Sequence, residues 1–445
     1  MTSERSSNLN RREFIRSSGA AVAAAAIAGT AATTPAEPRR ERLALVGTGG
    51  RGSTMWGRNL LQDCGDVVEI VGLCDINAKR ALASQKFIGI NAPTFVDFDQ
   101  MIGATKPDRV VVATMDSTHA QYIIRAMELG YDVITEKPLG TDEEQCQSIL
   151  DAEKRLGKKV TVTFNARHIE GAKRIKQFAL DKTLGDIISV NFHKYLSTDH
   201  GASYFRRWHR LRENSGSLLI TEGCHTLDQV NWWLDSVPVE VEAHGTLRVY
   251  GRNNSFRSSH CRVCPYKDRC QFYWDITRSA FDMKLYAECE SEDGYLRDGC
   301  VWKEDTNIYD SMSVIVRYEN NASLTYTLDA FLPFEGDEVI INGTKGRIDW
   351  NSYAGGDYRR EDLRLTRTFG KSELITDLPK PLAGGHGGAD PSMHNLLFRQ
   401  AGAPDPLGSL AGTRAATYAS LIGIGAYRSI DRGGQVVKLR DLVAV

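Results

Sequence analysis

Leu43-Ala44-Leu45-Val46-Gly47-Thr48-Gly49-Gly50-Arg51-Gly52 is the stretch that decides how this chain is read. Four apolar residues of buried-strand type run into a glycine-rich turn, and a helical pattern follows. The turn fits G-x-G-x-x-G. Gly47 makes the tight turn, Gly49 lets the backbone approach a pyrophosphate, and Gly52 lets helix and strand pack closely. Gly50 and Arg51 complete the turn, where the free N–H groups of the helix N-terminus face the anion.

Working outward, the next strand runs from Val67 to Cys74 and ends on Asp75. A carboxylate there accepts both ribose hydroxyls and repels a 2′-phosphate, which favours NAD over NADP; Arg80 is the one nearby residue that softens this preference. Further strands read at Arg109 to Ala113, Tyr131 to Thr135 and Lys159 to Phe164, with helical periodicity over Ala120 to Leu129 and Glu143 to Leu156. Alternating strands and helices with short connections predict an α/β domain, a parallel doubly wound sheet over residues 40–165. Thr114, His119 and Glu136 follow strand ends on its ligand-binding edge and are read as cofactor-binding residues with the turn.

Beyond Asn165 the pattern changes to period-two runs, among them Ile187 to Phe192, Val239 to His244, Met312 to Tyr318 and Ala322 to Leu328. Asp337 to Gly346 reads as strand, Asn-Gly turn, strand. These predict a second, α+β domain over residues 166–445 built on an open, mainly antiparallel sheet. A final helix from Leu410 to about Tyr427 packs back on the rest.

Glu136-Lys137-Pro138, Asn165-Ala166-Arg167 and Gly223-Cys224-His225-Thr226-Leu227-Asp228 follow the glycine turn in a characteristic order and spacing. Together these motifs resemble the Gfo/Idh/MocA oxidoreductases, over nearly the whole chain after its N-terminal segment. The resemblance implies a Rossmann domain, an open-sheet C-terminal domain, a nicotinamide cofactor and a sugar or polyol substrate. It implies that Lys137 hydrogen-bonds the reacting hydroxyl, that Asn165 touches the cofactor near its reactive ring, and that His225 is the general acid/base. An imidazole suits that work near neutral pH. One position departs from the pattern: the family commonly has an aspartate four residues before this histidine, and here it is Thr221. On a helix, positions 221, 225 and 228 share a face, so Thr221 looks into the site while Glu222 points elsewhere. A hydroxyl does not replace a carboxylate base, so the work falls on Lys137 and His225.

Between a predicted strand and the His225 helix, Thr198 to Arg210 is dense in aromatic and basic groups. Tyr195, His200 and Tyr204 are candidates to hold sugar hydroxyls, with Arg207 beside them, and Trp208 to cover an apolar sugar face. Tyr309 and His386 are further candidates; His386 stands among four glycines, which suggests close backbone approach to substrate or cofactor. Cys261, Cys264 and Cys270, in an insertion at about 255–305, supply thiolates at C-x2-C-x5-C, with Cys300 or Cys289 as a fourth. Such spacing suits structural zinc, which would staple an insertion lacking its own core; disulfides are the alternative.

Arg11-Arg12, a short apolar run from Gly19 to about Ala32 and small residues after it read as a twin-arginine export signal over residues 1–36. That route carries folded proteins to the periplasm, so a cofactor would be loaded first. Outside the cytoplasm no ready pool of nicotinamide exists, and each turnover must leave the cofactor as found. The expectation is a sugar oxidoreductase with tightly bound NAD. The alternative is a redox-neutral glycosidase resembling family 109, working by oxidation, elimination, hydration and reduction; His200, Tyr204, Tyr309 and His386 would be its acid or base groups. A net charge of −1 over 445 residues gives no electrostatic reason to expect nucleic acid. No later segment has the length of a membrane span, and a homo-oligomer, dimer or tetramer, is expected.

Overall fold

The computed structural model describes residues 39–355 and 360–445; the expected export signal lies outside the described residues. The apolar runs near the start form β1 (Glu41–Val46), β2 (Val68–Cys74), β3 (Thr94–Phe95), β4 (Arg109–Val112), β5 (Asp132–Thr135) and β6 (Val160–Val162). They pair in the order β3-β2-β1-β4-β5-β6, all parallel. Helices cover both faces, which is why β1 reads as an unbroken apolar run. Its alternate side chains enter two different cores: Leu43 and Leu45 join Met55, Trp56, Met393, Leu397 and Phe398, while Ala44 and Val46 join Ile123, Ile149, Ala416 and Ala419. The order reverses between β1 and β4, and a crevice opens at their C-terminal ends.

The second sheet contains β7 (Ile187–Ser197), β8 (Pro238–Thr246), β9 (Ser311–Tyr318), β10 (Ser323–Leu332), β11 (Glu335–Gly343), β12 (Gly346–Ala354), β13 (Arg360–Arg367) and β14 (Ser372–Leu374). A late segment returns to the first sheet as β15 (Ala411–Gly412), antiparallel to β6, and β16 (Val437–Lys438) ends the second. The nine strands run β14-β13-β12-β11-β7-β10-β9-β8-β16 and are antiparallel except at β7–β10. In β9, Met312, Val314, Val316 and Tyr318 are buried while Ser313, Ile315 and Arg317 are exposed, so one face carries the core. Helices Cys224–Leu234 and Thr413–Asp431 contribute Trp233, Leu421 and Ile422 to it.

The expected α/β fold with a parallel sheet and a mainly antiparallel one is present. The β11–β12 hairpin also forms, but Gly343 is its last strand residue and Thr344-Lys345 make the turn. Gly343 is needed for a different reason: a Cβ there would run into the Leu184 carbonyl, on the loop whose Leu184 and Asp186 carbonyls accept the N–H groups of Lys345 and Thr344. Between β8 and β9 lies the cysteine-rich insertion, pinned at its base by Asp310, whose carboxylate accepts the N–H groups of Arg248, Val249 and Tyr250. Among the described residues, no helix is long and apolar enough to cross a membrane.

Candidate dinucleotide and catalytic site

Gly47 has φ +90° and lies so close to the Ala113 carbonyl that no side chain fits, and a Cβ at Gly52 would strike the Gly47 carbonyl. At Gly49 and Gly50 the backbone is bare, and the nearest atom to a Cβ there is the Tyr286 phenolic oxygen, at 3.4 and 3.1 Å. The Gly50 N–H donates to that oxygen at 2.6 Å. The bare backbone at Gly49 and Gly50 and the close packing at Gly47 and Gly52 fit a dinucleotide, and the Tyr286 hydroxyl lies against one edge of the turn. Asp75 is locked in place beside it: one carboxylate oxygen accepts Thr48 N (2.9 Å) and Oγ1 (3.0 Å), the other Asn77 N (2.9 Å) and Arg80 Nη1 (3.2 Å). Arg80 is also paired with Asp293 at 2.5 Å, so its charge is committed and does not await a 2′-phosphate.

Across the crevice, Lys137 follows β5 at a cis Lys137-Pro138 peptide. His119 fixes this turn, with Nδ1 2.7 Å from the Pro138 carbonyl oxygen and Nε2 3.2 Å from that of Thr114. Thr118 Oγ1 donates to Thr114 Oγ1 at 2.9 Å. Lys137 Nζ donates to the Thr221 carbonyl at 2.7 Å.

Thr221 closes a short helix, Leu218–Thr221, and the next begins only at Cys224. That break overturns the expectation of one continuous helix with Glu222 turned away. Glu222 is buried, accepts the Tyr204 hydroxyl at 2.7 Å and lies 3.9 Å from Lys194. Burial alone would raise its pKa, but the charges of His200, Lys194 and Lys137 more than offset this and hold it far below the usual carboxylate range. The Thr221 hydroxyl faces a different carboxylate, the buried Asp116 after β4. Burial pushes Asp116 up to about 6, against the pull of His119, Lys137 and the Thr221 hydrogen bond. His225 has a buried Nδ1 with no partner among the described residues, and Phe164 meets its ring edge-on at 6.2 Å. Burial, reinforced by the Lys137 charge, drives its pKa well below 6.5, so the imidazole is neutral.

A second cluster forms around Asp390. Asn165 Nδ2 donates to one of its oxygens at 2.8 Å, His386 Nδ1 lies 2.8 Å from the other, and Arg51 Nη1 is 3.9 Å away. Arg51 Nε and Trp56 Nε1 both donate to Glu136 Oε1, at 2.8 and 2.7 Å. Burial would raise Asp390, but the His386 hydrogen bond and the Arg51 charge hold it far below the ordinary carboxylate range. The glycines around His386 do permit a close backbone approach, and what Gly385 approaches is the Asp390 carboxylate itself.

The other candidates separate. His200 lies 3.0 Å from Glu335 and stacks on Tyr204, whose ring carries the Arg207 guanidinium at 5.6 Å. Trp208 stacks on His209, a buried residue with an unpartnered Nδ1. Tyr195 does not join them. It follows Lys194 on β7 and so points to the opposite sheet face, where its hydroxyl donates to Glu338 at 3.0 Å. Tyr309 is likewise taken up elsewhere, stacked on Tyr427 of the late helix and beside Gly245.

The zinc expectation is corrected. Cys261, Cys264, Cys270 and Cys300 do line one small cavity, but all are free thiols, and among the described residues no group of three or more side chains is arranged to hold a metal ion. One of these thiols meets a guanidinium. Arg206 donates to Cys261 Sγ (3.2 Å) and to the Gly299 and Phe272 carbonyls. Asp298, wholly buried, accepts Arg262 through its N–H and guanidinium. The insertion also has aromatic contacts of its own: Phe272 packs on Tyr250 and Trp302.

This insertion folds over the first sheet's ligand-binding edge. Asn77 Nδ2 donates to the Cys289 carbonyl (2.9 Å), Lys79 Nζ to Ser291 Oγ (2.7 Å), and Phe87 packs on Phe281 at 4.7 Å. Arg80 lies against the rings of Tyr286 and Tyr295, at 5.6 and 5.8 Å. Asp116, Glu222, Tyr286 and Asp390 thus belong to the site although sequence reasoning did not select them. Only Asp116 had a usable signal, its place just past a strand end on the binding edge.

A doubly wound sheet with a phosphate-binding glycine turn, a lysine and a neutral histidine across the crevice, and a second open sheet define a two-domain dinucleotide oxidoreductase. The chain belongs to the Gfo/Idh/MocA family: the model for its NAD-binding Rossmann fold matches residues 42–164, and that for its C-terminal alpha/beta domain matches residues 179–439. It is an NAD-dependent oxidoreductase. YteT of Bacillus subtilis, named as an oxidoreductase, is 34% identical over 415 residues, 88% of this chain and 96% of that protein. Inositol 2-dehydrogenase 3 of Saccharopolyspora erythraea is 35% identical over 255 residues, 56% of this chain and 67% of its own length. An oxidoreductase from Agrobacterium radiobacter, solved with NAD+, L-tartaric acid and magnesium, shares the fold with a TM-score of 0.65 at 16% identity, over 91% of this chain and 100% of that one.

Proposed function

We propose that the chain oxidises a hydroxyl-bearing carbon of a sugar or polyol with a tightly held dinucleotide, and that a second, carbonyl-bearing substrate takes the hydride back. The carrying observation is that Lys137, just past β5, is anchored on the Thr221 carbonyl within electrostatic reach of His225, whose buried Nδ1 has no partner among the described residues. When bound, a nicotinamide would supply the hydride acceptor. One Lys137 N–H is held by the Thr221 carbonyl, which fixes the ammonium and leaves two N–H groups for a substrate hydroxyl. His225 accepts the hydroxyl proton. Asp116, with its pKa near 6 and hydrogen-bonded to Thr221, stands behind Lys137 as a further proton-carrying group in place of the carboxylate missing at 221. The inositol dehydrogenase relatives support a polyol or sugar substrate.

Retention of the dinucleotide is supported by the insertion, which ties the Asn77–Arg80 turn and lays Tyr286 on the glycine turn. With the export signal read at residues 1–36, such a protein would work in the periplasm without a free nicotinamide pool. Mass spectrometry of the native protein tests retention, and NADH absorbance with a panel of polyols and sugars tests the oxidation. A protein purified without nucleotide, taking none up, would sink the proposal.

A second reading, the redox-neutral glycosidase, is favoured by one observation: a further buried hydroxyl–carboxylate pair, in which Tyr204 donates to Glu222 at 2.7 Å, lies within the electrostatic reach of Lys137. Release of aglycone from aryl glycosides without added cofactor would select it. NADH accumulation without cleavage would select simple dehydrogenation.

A further inference from the structure

Beside the crevice, helix Thr198–Arg206 and the insertion wall an open cavity of about 360 Å³. Ser203, Arg207, Gln271, Trp274 and Arg297 face it, with Asp199 as its one carboxylate, and Asp199 is exposed. A third arginine there, Arg206, is already engaged with Cys261 and two carbonyls.

The other two guanidiniums have few carboxylate contacts among the described residues. Arg207 donates only to Ser203, through Nε to its carbonyl (2.7 Å) and Nη2 to its hydroxyl (2.9 Å); it has no carboxylate within 4.0 Å among the described residues. Arg297 reaches a carboxylate only through Nε, 3.4 Å from Asp282. Burial lowers the Arg207 pKa, and the Arg297 charge lowers it further. Two like charges on one half-buried wall, with N–H groups left over beyond the Ser203, Asp282 and Tyr295 contacts, suit a planar anion that both can approach. Around them, Ser203 and Gln271 offer groups for hydroxyls and Trp274 an apolar face for a sugar ring. The cavity leads toward the chemistry through Arg207, which lies over Tyr204, the partner of Glu222.

We infer that this cavity is a subsite for a carboxylate-bearing carbohydrate, a uronic acid unit, with Arg207 and Arg297 as the partners of its carboxylate. This rests on the carbohydrate reading above. The other source of anionic oxygen is the dinucleotide itself, since Arg297 also lies 4.8 Å from the Tyr286 ring that touches the glycine turn.

Calorimetric titration of the full-length, nucleotide-loaded protein separates these. The probes are glucuronate and galacturonate against glucose and galactose, at low and high salt, on wild type, Arg297→Gln and Arg207→Gln. The expected result is that an acid binds at least tenfold more tightly than its neutral counterpart. Either substitution should abolish that preference while bound nucleotide, read by absorbance and mass, stays at the wild-type level. Equal binding of acid and neutral sugars overturns the inference and leaves the carbohydrate reading standing. Loss of nucleotide with the acid preference intact assigns the arginines to the cofactor and also overturns it. Binding of no carbohydrate by the loaded wild type overturns both.

Discussion

The backbone N–H of Gly50 donates to the hydroxyl of Tyr286, 236 residues further along the chain, at 2.6 Å. A side chain of the insertion thereby rests on the turn that receives the dinucleotide, and Arg80 and Arg297 flank its ring. Tyr286→Ala removes this strap without touching the glycine turn or Asp75. Bound NADH should then leave at least tenfold faster, followed by its fluorescence after dilution into a trapping dehydrogenase. An unchanged release rate would show that the insertion does not restrain the cofactor.

Lys137→Ala should lower kcat by a factor of about 10² to 10⁴, the usual range for a proton-transfer group, while leaving nucleotide content near wild type. His225→Ala should fall in the same range. Retention of full activity by either variant would remove that residue from the chemistry.

Asp116 is expected to give the activity profile its acid limb, at about pH 6, where burial has placed its ionisation. Asp116→Asn should abolish that limb in the pH dependence of kcat/KM. If the limb persists in the variant, another group is titrating.

Stability should fall as the solution is acidified below about pH 6.5, the ordinary histidine value. Burial holds His168 at about 3, with the Lys173 charge adding to it, and drives His209 and His225 well below 6.5. For His168 the unfolded chain binds the extra proton between about pH 6.5 and 3, so stability rises with pH through that window and is lost as pH drops. Each such histidine contributes up to about 1.4 kcal/mol per pH unit. Melting temperatures between pH 8 and 5 test this, and His168→Gln should flatten the curve.

Arg167 forms a buried two-point ion pair, both bonds at 2.6 Å, with Asp228 of the helix that carries His225. Arg167→Ala should cost about 3–5 kcal/mol by stranding the carboxylate. The double replacement Arg167→Met with Asp228→Leu should recover much of that loss in a denaturant titration. A single mutant as stable as wild type would contradict the pairing.

What the sequence disclosed was the part of the site held by neighbours in the chain. Gly47 to Gly52, Asp75 and Lys137 sit at strand ends, where local pattern and topology coincide. Tyr195 was misassigned because a period-two strand fixes which residues share a face but not which face meets the crevice; Lys194, one place earlier, took that side. Glu222 was misassigned because the break at Glu222-Gly223 rotates it inward, and a helical wheel assumes no break. The cysteine spacing suited zinc or disulfides equally well as a pattern, and it carried no sign that Arg206 would reach the Cys261 thiol. Tyr286 and Asp390 reach the site through Gly50 and Asn165, each more than two hundred residues away, and no local window contains both halves of such a pair.

The late segment that closes the first sheet carries a consequence for how the polypeptide is made. Ala411–Gly412 seals the flank of β6, and Met393, Leu397 and Phe398 cover Leu43 and Leu45. The ribosome therefore delivers the nucleotide-binding half first and its seal only after most of the second sheet. A premature stop anywhere between would not yield a smaller nucleotide binder; it would release a sheet with a raw, apolar margin, the kind of surface that clumps before it folds.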